Sequence, residues 1–225
     1  MSALVALTAQ NTVGVTAIHE LPPELVRAQL AAVFDDIGVD AAKTGMLYSA
    51  ALIETVADFF AAQRGVPLVV DPVMVASSGA KLLEDDAVAA LIGELFPLAT
   101  VVTPNLMEAR ALTGNDGSRR ELAARLHELG AAAAIVTGGH GDDPVDHLFD
   151  GREHVEIPVE RHAGGATHGA GCTHSATLAA LLARGLSLVE AARGAAAAAS
   201  RAVAQGLVEI GAGEGPVDVL GVRAR

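Results

Sequence analysis

Several short segments combine residue types that could carry chemistry, and the most distinctive is 167–173. There Gly169 and Gly171 lead into a cysteine, Cys172, and then a segment of helical pattern. Glycine lets the backbone approach a ligand closely, and a helix start presents unpaired N–H groups and the positive end of the helix dipole. This pattern predicts a site for an anion such as phosphate, where the thiolate form of Cys172 would be favoured. A flexible loop before a helix, with Cys172 as a small buried residue, explains it about equally well.

Two carboxylates occupy positions where predicted elements end or begin. Asp71 closes an apolar run and precedes Pro72, which stops a strand ladder. Such a residue is either a turn aspartate or a carboxylate that faces a metal and phosphates. Asn105 and Glu108 have the spacing of a helix cap and its third residue, so this pattern alone favours a capping box. The functional alternative is that Glu108 holds a hydrated magnesium against nucleotide phosphates.

A further segment, 135–140, is an apolar strand pattern that runs into Gly138, Gly139 and His140. It indicates close approach of the backbone to a nucleotide or, equally, a plain tight turn. Zinc is a weaker alternative, because the histidines and cysteine near residue 170 lack the paired spacing of structural zinc sites. Those residues are His162, His168, Cys172 and His174. Ordinary loop histidines are the favoured interpretation.

The segments lie within an alternation of short apolar runs and longer stretches of helical period. Strands are predicted at 4–7, 39–44, 67–71, 100–103, 133–137, 145–149 and 154–158. Helices are predicted at 23–36, 50–64, 85–95, 106–112, 118–129, 172–184 and 187–206, the last beginning with a Ser187–Glu190 capping box.

Strand followed by helix, several times over, implies parallel strands joined by right-handed crossovers. The predicted fold class is α/β, a doubly wound, mostly parallel sheet flanked by helices. The first strand, 4–7, is expected to lie inside the parallel sheet. The dipeptide Asp150-Gly151 favours an antiparallel hairpin at an edge.

Composition limits the classes of partner. The 225 residues, 51% hydrophobic, suffice for one substantial core, so a single domain over 1–225 is expected. The net charge of −12 argues against nucleic acid or an anionic membrane surface and favours a small-molecule partner. A single cysteine indicates a reducing compartment. No apolar run reaches the roughly 18 residues of a membrane helix, and no basic signal-peptide segment is seen, so the cytoplasm is the expected location.

Taken in order, these segments resemble the hydroxymethylpyrimidine/phosphomethylpyrimidine kinase family of the ribokinase-like superfamily over nearly the whole chain. The resembling segments are 6–12, 43–47, 71–74, 103–106, 138–140, 167–173 and 213–217. The glycine-rich helix start is the most specific of them, because most ribokinase-like enzymes carry aspartate where this chain has Cys172.

The resemblance implies transfer of the ATP γ-phosphate to the hydroxymethyl group of a thiamine-precursor pyrimidine, and then to the resulting monophosphate. By the resemblance, Gln10, Met46 and Val73 line the pyrimidine pocket, with Gln10 hydrogen-bonding the ring. It assigns Asn105, Glu108, Thr137 and Gly139 to ATP, Asp71 and Glu108 to Mg²⁺, and Gly169, Ala170, Gly171 and Cys172 to phosphoryl transfer. Phosphoryl transfer depends mostly on positioning and charge stabilisation, so a thiol can serve where a carboxylate usually stands.

The sequence departs from the family pattern in two ways. Thr137 stands where members often have a lysine, which removes a cation from the phosphate site. The family also begins with a further strand and a glycine-rich segment, so residues 1–225 are expected to be an N-terminally shortened kinase with poor turnover until upstream residues are restored. A pyridoxal kinase of the same superfamily and a non-catalytic pyrimidine-binding module stay open as alternatives, as does a homodimer.

Overall fold

In its described residues, 1–75, 79, 82–84, 86–139, 143–162 and 166–222, the computed structural model has eight strands in two sheets. The strands are β1 (Ala6–Gln10), β2 (Val15–Glu20), β3 (Ala42–Thr44), β4 (Leu68–Val70), β5 (Val101–Val102), β6 (Ala134–Val136), β7 (Val145–Phe149) and β8 (His154–Pro158). β1 pairs with β2, and the others form one sheet in the order β3-β4-β5-β6-β7-β8. β3 to β6 are parallel, whereas β7 and β8 are antiparallel to their neighbours. The predicted mostly parallel sheet with an antiparallel edge hairpin is confirmed.

Seven α-helices accompany these strands in the same part of the chain. They are α1 (Pro23–Asp36), α2 (Ala50–Ala61), α3 (Ala87–Ala90), α4 (Leu106–Thr113), α5 (Arg119–Glu128), α6 (Ala170–Ala183) and α7 (Leu188–Ala204). α3 continues into a π-helical turn, Leu91–Leu95, and a 3₁₀ turn, Phe96–Leu98. Capping boxes begin α4 at Asn105 and α7 at Ser187, as predicted.

The alternation of side chains along the central strands divides the apolar core in two. Successive strand residues point to opposite faces of a sheet. Val70 and Val102 accordingly belong to a core shared with α1, α2, α4 and α5, whereas Val69, Val101 and Ile135 belong to a core shared with α6 and α7. Both faces of the sheet are therefore covered by helices, which confirms the doubly wound architecture.

The expectation that 4–7 is an inner strand of the parallel sheet is wrong. The strand begins at Ala6, runs on to Gln10 and pairs antiparallel with β2, which the apolar pattern did not reveal. The turn between them is closed by the Asn11 side chain, whose oxygen accepts the N–H groups of Val13 and Gly14 at 2.9 and 3.0 Å. Most side chains of this ribbon are exposed, so its apolar residues mark a strand without marking a buried one.

Other elements differ from prediction mainly in their bounds. The central strands are shorter than predicted, and α2 ends at Ala61 where 50–64 was expected. The helix predicted at 85–95 begins at Ala87, and Asp85 lies outside the described residues. α6 begins at Ala170, before the predicted start at Cys172. Among the described helices, none combines the length and apolar character needed to cross a bilayer.

Candidate active site

Three elements meet where β4 ends. Asp71 follows β4 directly, and its Oδ2 atom accepts a hydrogen bond of 2.8 Å from the Ser175 hydroxyl of α6. The Lys43 Nζ atom, on β3, lies 3.8 Å from the same oxygen. The carboxyl edge of the parallel strands and the first turns of α6 therefore share one polar centre. In open α/β sheets, ligands bind at this edge.

Asp71 is nearly inaccessible to solvent, with 5% of its surface exposed. Burial raises its pKa, and the Lys43 charge, the Ser175 hydrogen bond and His174 oppose that rise. A buried carboxylate with one cation 3.8 Å away is incompletely neutralised. The site thus has the electrostatic character of a binding place for further positive charge.

Glu108 forms the predicted capping box. Its Oε2 accepts the Asn105 N–H at 2.9 Å, its own N–H donates to Asn105 Oδ1 at 3.0 Å, and its Oε1 lies 3.4 Å from the Met74 N–H. Burial raises the pKa of Glu108 to about 7, and the negative charge of Asp71 adds to the rise. The same side chain therefore caps α4 and interacts electrostatically with the Asp71 carboxylate. A role in the capping box and a role in the site are compatible.

The two carboxylates fit a magnesium ion in their chemistry. Each is an oxygen ligand of the kind Mg²⁺ prefers, and each is hard to ionise in its present surroundings. No group of three His, Cys, Asp or Glu side chains in the described part of the chain has the geometry of a metal site. Magnesium commonly binds through one or two carboxylates together with phosphate oxygens and water, and Asp71 with Glu108 matches that pattern.

The start of α6 offers unpaired backbone donors. Gly169 is the N-cap residue with φ 88°, a left-handed conformation that favours glycine, and no side chain caps the helix. The N–H groups of Gly171 and Cys172 have no acceptor among the described residues. No atom lies within 4 Å of where a side chain on Gly171 would be, so a ligand can approach the backbone closely. These features suit an anion.

The expectation that Cys172 favours its thiolate is wrong. The residue lies at the surface of the helix start. Even so, the surrounding protein raises the pKa of its thiol, burial being the largest cause, while the nearby Asp71 and Glu108 charges add to the rise and Lys43 opposes it. Both carboxylates act against a further negative charge on the thiol.

The segment after β6 divides into a packed glycine and an open one. Gly138 donates its N–H to Asp146 Oδ1 at 2.6 Å, and a methyl group there would stand 2.5 Å from the Val145 backbone. Gly139 is exposed, with no atom within 4 Å of a methyl position. Thr137 offers its carbonyl to Arg119 Nε at 3.2 Å. Gly138 therefore fits a tight turn, and Gly139 leaves room for a ligand to approach the backbone. His140 lies outside the described residues.

The residues assigned to the pyrimidine occupy two places. Met46 and Val73 are partly buried and follow the neighbouring strands β3 and β4, so they lie at the same sheet edge as Asp71. Gln10 ends β1 on the separate ribbon and is exposed. Its Oε1 atom is 3.4 Å from the Thr8 hydroxyl.

Several polar residues of the site escaped the sequence analysis. Lys43 and Ser175, which contact Asp71, were not among the predicted site residues. His174 was interpreted as an ordinary loop histidine, but it lies buried in α6. Its Nε2 is 3.4 Å from Asp146 Oδ2, although that pair falls short of hydrogen-bond geometry. A lysine inside an apolar strand pattern was a signal that could have found Lys43. Nothing in the spacing of Ser175 distinguished it from other small helix residues.

A doubly wound sheet whose carboxyl edge carries two buried carboxylates beside a glycine-rich helix start is the arrangement of a ribokinase-like small-molecule kinase. Residues 1–218 match the phosphomethylpyrimidine kinase family. The chain belongs to that family.

Individual relatives are kinases of the same kind. A hydroxymethylpyrimidine/phosphomethylpyrimidine kinase of Rhizobium meliloti is 47% identical over 224 residues, which cover 96% of this chain and 84% of the relative. Among solved structures, a Bacillus subtilis pyridoxal kinase in complex with ADP has a TM-score of 0.88 at 35% identity, covering 100% of this chain and 88% of that one. A phosphomethylpyrimidine kinase from Clostridium difficile has a TM-score of 0.79 at 33% identity, covering 90% and 86%.

Proposed function

We propose that this chain phosphorylates hydroxymethylpyrimidine and then its monophosphate, with ATP as the phosphoryl donor, in the formation of the thiamine pyrimidine. The observation that carries the proposal is the meeting of Asp71, Lys43 and the start of α6 at one sheet edge, within a chain of this family. The relative from Rhizobium meliloti bears the name of this activity.

The start of α6 is the proposed anion hole. The free N–H groups of Gly171 and Cys172 would hold the oxygens of the transferring phosphoryl group, and Gly169 and Ala170 set the path of the backbone into the helix. In the first transfer, the substrate hydroxyl oxygen bonds to the γ-phosphorus, the bond from that phosphorus to the β–γ bridging oxygen breaks to leave ADP, and the hydroxyl proton passes to water. In the second transfer, an oxygen of the monophosphate takes the place of the hydroxyl. Donors held in place stabilise the charge that develops on the transferring group. Cys172, protonated at neutral pH, is proposed to touch the reacting hydroxyl.

The nucleotide and magnesium are proposed to lie along the neighbouring strand ends. Asp71 and Glu108 would hold Mg²⁺, which when bound offsets the negative charge of the phosphates. Asn105 fixes Glu108 through the capping box. Thr137 and the open Gly139 would line the nucleotide, and Lys43 supplies a cation close to Asp71.

Gln10, Met46 and Val73 are the proposed pyrimidine contacts. Gln10 has an exposed amide that can donate to and accept from a ring, and the two apolar residues offer a surface for its faces. A second candidate substrate is pyridoxal, since the Bacillus subtilis pyridoxal kinase superposes with a TM-score of 0.88.

The proposal extends to the setting of the enzyme. A cytoplasmic location with no nucleic-acid or membrane partner accords with the net charge of −12 and the single cysteine. A homodimer is the proposed assembly, because Leu7 and Val13 on the ribbon expose apolar side chains. Light scattering on the purified chain measures this directly.

Turnover measurements test the function. ADP release is followed with hydroxymethylpyrimidine, its monophosphate or pyridoxal as acceptor, and we expect the highest kcat/KM with the first two. Higher kcat/KM with pyridoxal would favour the second candidate, and ligand binding without ADP release would favour a non-catalytic module. Glu108→Gln should weaken Mg²⁺-dependent ATP binding in calorimetry. Glu121→Gln is the matched control, because Glu121 has the same place in the capping box of α5 but is exposed.

A further inference from the structure

Residues 211–217, which we name the glycine strap, run between the β1–β2 ribbon and the start of α6. On the ribbon side, the Gly213 N–H donates to the Thr12 hydroxyl at 3.2 Å. A methyl group on Gly213 would overlap the Thr12 carbonyl oxygen, and one on Gly211 would overlap the Thr12 side chain. Close approach therefore requires glycine at both positions. Thr12 stands in the ribbon turn, two residues after Gln10.

On the other side, the strap pairs with the residues that lead into α6. The His168 N–H donates to the Gly215 carbonyl at 3.2 Å, and the Val217 N–H donates to the His168 carbonyl at 3.0 Å. The Thr167 hydroxyl donates to the Glu214 carboxylate. Since His168 directly precedes the N-cap residue of α6, these bonds fix the backbone that opens the helix.

The ribbon has anchors at its base and at its tip. At the base, the Leu4 N–H and carbonyl bond the Gln29 side chain at 3.0 and 2.9 Å, and the Ser49 hydroxyl donates to Glu20. At the tip, the only hydrogen bond that the turn residues 11–14 make outside the ribbon, within the described part of the chain, is the one to the strap. Without this bond, hydrogen bonds would anchor the ribbon only at its base.

We propose that the glycine strap positions the pyrimidine-binding ribbon against the anion-binding start of α6, with Thr12, Gly213 and Glu214 as positioning residues for phosphoryl transfer. The proposal rests on the proposed function, which places the pyrimidine at Gln10 and the phosphoryl group at α6. Transfer requires the hydroxyl oxygen and the phosphorus to be held in line, and a misplacement of about 1 Å can cost about 100-fold in rate. The strap links the two sides through a hydrogen bond to Thr12 on the ribbon and two backbone hydrogen bonds to His168 before α6.

Gly213→Ala tests the strap against a matched control, Gly14→Ala. Gly14 lies in the same ribbon turn but has no atom within 4 Å of a methyl position and no left-handed backbone. Gly213→Ala should lower kcat with hydroxymethylpyrimidine by about tenfold or more and raise its KM. ATP hydrolysis without pyrimidine should stay within about twofold of the parent rate, because that reaction does not use the ribbon. Gly14→Ala should match the parent in all three measurements.

A second measurement does not depend on the substrate. In the ligand-free protein, hydrogen exchange at the amides of residues 6–20 should be faster in Gly213→Ala than in Gly14→Ala, with exchange in α5 unchanged. For the α6 side, Glu214→Leu should reproduce the kinetic loss and Glu214→Gln, which keeps an oxygen acceptor, should restore most of it. These two variants also decide the matter if Gly213→Ala does not fold.

The outcomes separate the strap from the function. A parent protein that does not phosphorylate the pyrimidine overturns the proposed function, while faster ribbon exchange in Gly213→Ala would still support the strap. Gly213→Ala that behaves as Gly14→Ala in turnover and exchange overturns the strap. Equal loss of pyrimidine turnover and pyrimidine-free hydrolysis in Gly213→Ala, or equal activity of both Glu214 variants, would also overturn it.

Discussion

Replacing Glu108 with glutamine should favour the folded, metal-free protein more strongly at pH 8 than at pH 5. Burial is the main cause of the raised pKa of Glu108, about 7 against an ordinary 4.5. Glutamine has nearly the same shape, carries no charge, and keeps an oxygen that can accept the Asn105 N–H. Glutamine gives up the contact of Oε1 with the Met74 N–H at 3.4 Å, but this loss is the same at every pH. The pH-dependent part of the difference therefore isolates the cost of ionising a buried carboxyl group.

The magnitude follows from the pKa. In the folded protein the pKa of Glu108 is about 7, against an ordinary 4.5. Each pKa unit corresponds to about 1.4 kcal/mol, so ionising Glu108 in the folded state costs about 3 kcal/mol. The folded state holds the extra proton between pH 4.5 and 7. Its free energy of unfolding therefore falls as pH rises through that window, with no cost below it and the full cost above it.

Urea unfolding followed by circular dichroism, at pH 5, 6, 7 and 8 with EDTA, measures this difference. The gap between Glu108→Gln and the parent should grow by about 2.5 kcal/mol across the series, because a small part of the full cost is already present at pH 5. The control Glu121→Gln should differ from the parent by the same amount at all four pH values, because the Ser118 hydrogen bonds lower the pKa of exposed Glu121 and the group is ionised throughout the series. A gap between Glu108→Gln and the parent that is the same at all four pH values would refute the reasoning.

Three further substitutions probe the same edge of the sheet, the last of them beside a control variant. Cys172→Ala should lower kcat while leaving pyrimidine affinity in calorimetry within about threefold, since the role proposed for the thiol lies mainly in the transition state. Alkylation of the parent thiol should be slow at pH 7, because burial and the nearby carboxylates raise its pKa. Full activity of Cys172→Ala, or fast alkylation, would contradict this. Ser175→Ala removes a hydrogen bond that lowers the pKa of Asp71, so the acidic limb of the kcat/KM profile should move to higher pH; an unmoved limb would count against the contact. Gly138→Ala should lower the free energy of unfolding in urea by about 1–3 kcal/mol, because its methyl group would stand 2.5 Å from the Val145 backbone. Gly139→Ala is the control and should change it little, since no atom lies within 4 Å of its methyl position. Equal effects of the two substitutions would contradict the packing argument.

The parts of the fold that were predictable rest on local rules. Apolar runs such as the one through Val69 and Val70 serve two cores at once, so they identify buried parallel strands. Capping boxes at Asn105 and Ser187 depend on residues three positions apart. The doubly wound, mostly parallel class then followed from the alternation of strands and helices.

What could not be predicted depends on contacts between distant residues. Most side chains of β1 and β2 are exposed, so neither strand has a fully buried face. The apolar residues therefore indicated that β1 is a strand but did not show that it pairs with β2. The pKa of Cys172 is raised first by burial and then by the charges of Asp71 and Glu108, which come from two other parts of the chain. Both effects oppose the helix dipole, and sequence spacing does not show how closely such groups approach.

One hydrogen bond ties the first half of α6 to the sheet. The Ser175 hydroxyl donates to Asp71 Oδ2 at 2.8 Å, where β4 ends. The neighbouring His174 lies 3.4 Å from Asp146 of β7 without hydrogen-bond geometry, so it does not provide a comparable second bond. The helix also packs against β3 and β4. Because Ser175 follows Gly171 by one helical turn, its bond to Asp71 sets the distance between the free N–H groups at the helix start and the carboxylate at the strand end.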